Sequence, residues 1–113
     1  MSEASDAERL GIKTIGQGED LPETAETGGL SNSIMRNFDD TGLHTVGFYD
    51  ENGNLQVRID VRGPPHARVP TPHVVDYFTG PRPGGGYGFR KAFWGPTTPE
   101  MDQIIQWISE IFD

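Results

Sequence analysis

Glu51-Asn52-Gly53-Asn54-Leu55-Gln56-Val57-Arg58-Ile59-Asp60-Val61-Arg62 decides the fold class. Asn-Gly between two strand-like runs is a hairpin signal, because both residues tolerate positive φ. The first strand is the weakly alternating run from His44 to Asp50. In the second, Leu55, Val57, Ile59 and Val61 share one face and Gln56, Arg58, Asp60 and Arg62 the other. Strand geometry spaces Arg58, Asp60 and Arg62 about 7 Å apart along one row. Gly63-Pro64-Pro65 stops the strand, since proline cannot donate to a ladder.

Outward from this hairpin, His73 to Phe78 reads as a third strand and Phe89 to Trp94 as a fourth, with a Gly-rich loop from Gly80 to Gly88 between them. Thr98-Pro99-Glu100 opens a helix: Thr98 suits the N-cap, Pro99 the first helical position, and Glu100 and Asp102 the positive first turn. Met101, Ile104, Ile105, Ile108, Ile111 and Phe112 form its apolar stripe, expected to cover the sheet together with Trp107 and Trp94. Ser31 to Asp39 reads as a short helix on the spacing of Ile34, Met35 and Phe38. The expected fold is α+β: a small, twisted, mainly antiparallel sheet of three to five strands with a C-terminal helix on one face.

A chain of 113 residues has room for one domain. The count of 15 Gly and 9 Pro favours short strands and turns over a helical bundle. There is no Cys, which removes disulfides, thiol nucleophiles and Cys-ligated zinc. No apolar run approaches the roughly 18 residues of a membrane span, and the first residues do not resemble a signal peptide. Residues 1–33 carry seven acids against Arg9 and Lys13. This composition is expected of a mobile acidic lead or linker, which could also cover a basic patch or join a carrier. The domain proper is then expected over residues 34–113.

Charge locates the candidate site. Residues 57–91 hold six Lys/Arg against Asp60 and Asp76, a local +4 in a chain of −8, so the remainder carries −12. The overall charge argues against a general nucleic-acid binder, whereas a focused basic cleft remains compatible with a phosphodiester. Metal-independent RNA cleavage needs a base, an acid and a cation; histidine serves the first two and arginine or lysine the third. His66, His73, Arg58, Arg62, Arg68 and Lys91 supply those types in one segment, and Asp60 or Asp76 could orient a histidine. Tyr87 and Phe89 could stack on a base, although the surrounding sequence departs from an RNA-recognition motif at Gly85, Arg90 and Ala92. The bland alternatives are a solvated His66, a structural His73 and an ordinary ion-paired strand face. His44 reads as structural, although it starts the hairpin and could approach the same site. His66, His73 and Asp76 match no zinc spacing, and Gly84-Gly85-Gly86 is not a phosphate loop, so no metal or cofactor is expected.

Arg58-x-Asp60-x-x-Gly63-x-x-His66, followed by Thr71-Pro72-His73-Val74, Arg90 and a Thr-Pro-Glu helix, resembles the C-terminal toxin domains of bacterial polymorphic toxin systems. The nearest class is polymorphic toxin type 24, and the resemblance covers roughly residues 55–112. It implies a small module on a larger carrier protein of a secretion or contact-dependent system, acting in the cytoplasm of a target bacterium and neutralised by a cognate immunity protein. It also implies a nuclease, with Arg58, Asp60, His66 and His73 as site residues and Arg90 beside them. Residue chemistry and resemblance together lead to an expected metal-independent ribonuclease: His66, His73 and Asp60 catalytic, and Arg58, Arg62, Arg68, Arg90, Lys91 and Tyr87 on the RNA substrate. The competing expectations are a non-catalytic interaction module, such as an adaptor or immunity-type protein, and a toxin acting on a nucleotide.

Overall fold

The computed structural model describes residues 5–65, 68–81 and 87–113; the side chains at 79–81 and 87–93 lie outside that description. Six strands form one sheet in chain order: β1 (Ile12–Thr14), β2 (Ile34–Asp39), β3 (Gly42–Tyr49), β4 (Leu55–Asp60), β5 (His73–Pro81) and β6 (Tyr87–Pro96). β1 runs parallel to β2, and every other neighbouring pair is antiparallel. Two helices, α1 (Asp6–Arg9) and α2 (Pro99–Glu110), complete the α+β fold. The sheet thus exceeds the expected three to five strands, through β1 and β2.

β2 replaces the short helix expected over Ser31 to Asp39. Its alternation is hidden because two inward positions are polar. Arg36 is buried on the α2 side, donating to the carbonyls of Ile108 and Ile111, and from Nε to the Thr14 hydroxyl at 2.8 Å. Asn37 is buried on the other side, donating from Nδ2 to the Glu19 carbonyl at 2.6 Å. Buried polar groups with full partners are compatible with a strand interior, but they erase the apolar period that sequence reading relies on.

The acidic segment expected to be a loose lead is docked over its described residues. β1 joins the sheet edge, and Ala7, Ile12 and Leu21 are buried. Backbone groups do most of the anchoring: the Leu55 amide donates to the Glu23 carbonyl at 3.0 Å, and the Tyr49 hydroxyl to the Pro22 carbonyl at 2.6 Å. Few apolar residues are needed when the anchors are main-chain hydrogen bonds.

The β3–β4 hairpin forms where Asn-Gly places it. Asp50 Oδ1 accepts from the Asn52 and Asn54 amides, and Gly53 takes φ 79°. A side chain at Gly53 would also strike the Gly29 carbonyl, 2.7 Å from an ideal Cβ. A register shift between Phe48 and Tyr49 turns Leu55 away from Val57 and Ile59. Leu55 therefore joins the cluster of Leu21, Met35, Tyr49, Val75 and Tyr77, not the apolar row expected of it.

The opposite face carries α2. Leu43, Val46, Ile59 and Val74 pack against Ile105 and Ile108. Thr98 caps the helix, its hydroxyl accepting from the Met101 amide at 3.2 Å. The buried stripe is narrower than expected: Ile104, Trp107 and Phe112 are 42%, 48% and 80% exposed. Trp94 packs on the face away from α2, so neither tryptophan covers the helix side.

Ile108→Ala should cost about 2–5 kcal/mol in urea unfolding through the cavity it leaves. Ile104→Ala should stay within about 0.5 kcal/mol of the parent, as an exposed site does. Equal losses would show that the helix seats on a different face.

Candidate functional site

The face opposite α2 holds the site. β4 and β5 pair so that Asp60 lies directly across from His73. His73 is fully buried, edge-on to Trp94 with ring centroids 5.1 Å apart. Its Nδ1 is 3.1 Å from the Val69 carbonyl and its Nε2 is 2.7 Å from Asp60 Oδ2. A carboxylate oxygen accepts, so Nε2 donates to Asp60. His73 thus acts here as a donor that fixes Asp60.

Asp60 is gripped from its other side by Arg58. Nε of Arg58 donates to Asp60 Oδ1 at 2.8 Å and a terminal nitrogen to Oδ2 at 3.1 Å, a bidentate pair. The other terminal nitrogen donates to the Tyr77 hydroxyl at 2.8 Å. The guanidinium carbon sits 5.9 Å from the Tyr77 ring centroid and 5.4 Å from that of Trp94. Among the described residues three of its five N–H donors are therefore used, which leaves two. Burial works against its charge, but the hydrogen bonds and charge of Asp60, then Tyr77 and Glu23, outweigh it and raise its pKa.

Arg58 and Asp60 form the floor of a cleft of about 420 Å³. One wall is the strap carrying Glu19, Asp20 and Glu23; the other is His44 and Thr45 of β3, with Arg62 and Gly63 at the end of β4. The cleft is therefore mixed in charge, lined by Arg58 and Arg62 and by the carboxylates of Glu19, Asp20, Glu23 and Asp60. Asn37 staples strap to strand: its side chain donates to the Glu19 carbonyl and accepts from the Thr45 amide at 3.0 Å.

A β-bulge positions the histidine of this wall. Asn37 pairs with Thr45, but the next partners are Phe38 and Leu43, which leaves His44 as the extra residue. Bulges re-aim side chains in this way. His44 and Thr45 thereby both border the cleft, whereas regular alternation would send them to opposite faces.

The structure brings Arg58, Asp60 and His73 into one hydrogen-bonded chain. Asp60 and Arg58 line the cleft, while His73 lies behind them. Arg62 also lines it, reaching the Leu43 carbonyl at 2.8 Å and Asp39 at 3.4 Å. Arg68 is exposed, with φ 66°, and does not border the cleft. Tyr87, Arg90 and Lys91 hold backbone positions opposite Pro81, Phe78 and Tyr77, and their side chains lie outside the described residues, as does His66. Among the described residues no three His, Asp or Glu converge as a metal-binding group. The sequence reads His44 as structural, though able to approach the site; the structure places it at the cleft border through a bulge that has no signature in the sequence.

A family model described as bacterial toxin 24 matches residues 17–99, a span that contains every residue lining the cleft. No curated protein and no solved structure matches the chain. No helix among the described residues is long and apolar enough to cross a membrane.

Tyr77 gives the site a pH signature. Burial raises its phenol from 10.0 to about 12, with Arg58 opposing and Glu23 and Asp60 assisting. A raised folded value means stability that is complete below pH 10.0 and lost as pH climbs towards about 12. Unfolding midpoints should therefore drop between these limits, and drop less steeply in Tyr77→Phe. Identical slopes in the two proteins would show that the phenol is not shielded.

Proposed function

As the chain belongs to the bacterial toxin 24 family, it is a bacterial toxin domain, and we propose that its cleft binds an RNA phosphodiester and cleaves it. The observation that carries this reading is Arg58. Its guanidinium is locked on the cleft floor by Asp60 and Tyr77, yet among the described residues keeps two N–H donors. A fixed planar cation suits phosphate oxygens, whose charge grows in the transition state. Asp60 and His73 are positioning residues, setting the angle of the guanidinium. Arg62 is a second phosphate contact at the cleft's end.

Cleavage without a metal agrees with cations supplied by the chain itself. A cognate immunity protein and a larger carrier are the partners this reading expects, with delivery into a target bacterium. The exposed neighbours Ile104 and Trp107 on α2 offer apolar area for such a contact, away from the cleft.

Protein made by cell-free synthesis should cut total bacterial RNA into discrete fragments on a denaturing gel. Arg58→Gln should lower that rate about 100-fold or more, the usual loss for one transition-state donor. Arg62→Gln should weaken substrate binding while leaving the melting temperature close to the parent's. Intact RNA after incubation with folded wild-type protein would sink the ribonuclease reading. Turnover or tight binding of mononucleotides alone would favour a nucleotide as substrate.

A further inference from the structure

We infer that His44 is the catalytic base of the cleft, a role that rests on the phosphodiester reading above. The floor lacks a free proton acceptor. Asp60 accepts two hydrogen bonds from Arg58 and stands 2.7 Å from His73 Nε2, so most of its acceptor capacity is occupied. His73 is buried behind it and engaged at both ring nitrogens.

His44 differs on each count. It is half-buried, it borders the cleft, and its imidazole makes no hydrogen bond among the described residues. It sits beside the floor: Thr45 pairs with Asp60, and the Val61 amide donates to the His44 carbonyl at 2.9 Å. The bulge that directs the side chain there is locked by Asn37, through the Thr45 amide and hydroxyl. An extra residue anchored in this manner is costly to keep without a use.

In the step that follows, His44 takes the proton of a ribose 2′-hydroxyl. The 2′-oxygen forms a bond to phosphorus, the bond from phosphorus to the 5′-oxygen breaks, and that oxygen takes a proton from water, whose hydroxide then takes back the proton held by His44. The products are a 2′,3′-cyclic phosphate and a free 5′-hydroxyl. Arg58 and Arg62 hold the non-bridging oxygens. The charged groups that face His44 are Glu19, Asp20 and Glu23 on the strap and Arg58, Asp60 and Arg62 on or beyond β4.

The test uses the full chain and a defined RNA oligonucleotide. His44→Ala should lose about 100-fold or more in rate, the usual contribution of a general base, with the melting temperature unchanged. The acid limb of the wild-type pH–rate profile should vanish in that variant, and added imidazole should restore part of its rate. Wild-type fragments should end in a cyclic phosphate. A His44→Ala protein that cleaves at the wild-type rate would overturn this assignment and leave the ribonuclease reading intact. A folded wild-type protein that leaves the oligonucleotide whole would overturn both. If His44→Ala fails to fold, His44→Gln supplies the same comparison; a loss without a changed acid limb or imidazole rescue would mark the residue as structural.

Discussion

A carboxylate taken almost out of water organises this molecule. Asp60 is only 8% exposed, and a polar group so placed needs hydrogen-bond partners on its open sides. His73 supplies one and Arg58 two. These bonds also set the sheet. Asp60 faces His73 only in the observed β4–β5 register, and a one-residue slip would move the carboxylate to the apolar α2 face. Trp94 and Tyr77 then close around Arg58 and His73, so the aromatic packing of this face follows from the same charge.

The two faces of the sheet divide the work. The α2 face holds aliphatic packing and one buried cation, Arg36, placed where it helps. Its guanidinium meets the orphan carbonyls at the C-terminal end of α2, where the helix carries its partial negative charge. The other face is polar at one end and apolar at the other. The cleft lies over the polar end, where Arg58 and Asp60 are held by hydrogen bonds, while the opposite face carries the aliphatic packing against α2. In the proposed reading donors held in this way suit transition-state stabilisation, because prearranged donors need no reorganisation when charge develops.

In the proposed reading the cleft gives an acidic chain an anion site. The acids are not remote from it; Glu19, Asp20 and Glu23 form its rim. In the same reading their field would oppose indiscriminate binding of polyanions, while Arg58 and Arg62 would act at short range on a phosphate that enters. Net charge therefore speaks to non-specific binding, and the local arrangement to the site.

Much was legible in the chain by itself. The Asn52-Gly53 hairpin, the β4 row, the strand starting at His73 and the Thr98-capped helix all follow from local chemistry: positive φ, period-two alternation, capping. Arg58, Asp60 and His73 were candidates because they cluster in sequence, and the antiparallel pairing of β4 with β5 sets Asp60 directly across from His73. The sequence did not disclose β2, because Arg36 and Asn37 are buried by partners far along the chain and break the apolar period. Nor did it disclose the docking of the acidic segment, which rests on backbone hydrogen bonds that composition does not encode. Which histidine meets the cleft was likewise a tertiary decision. Register buried His73 behind Asp60, and a bulge turned His44 toward the opening. Local propensity determines elements; the pairing of distant strands determines which side chains share a solvent-accessible space.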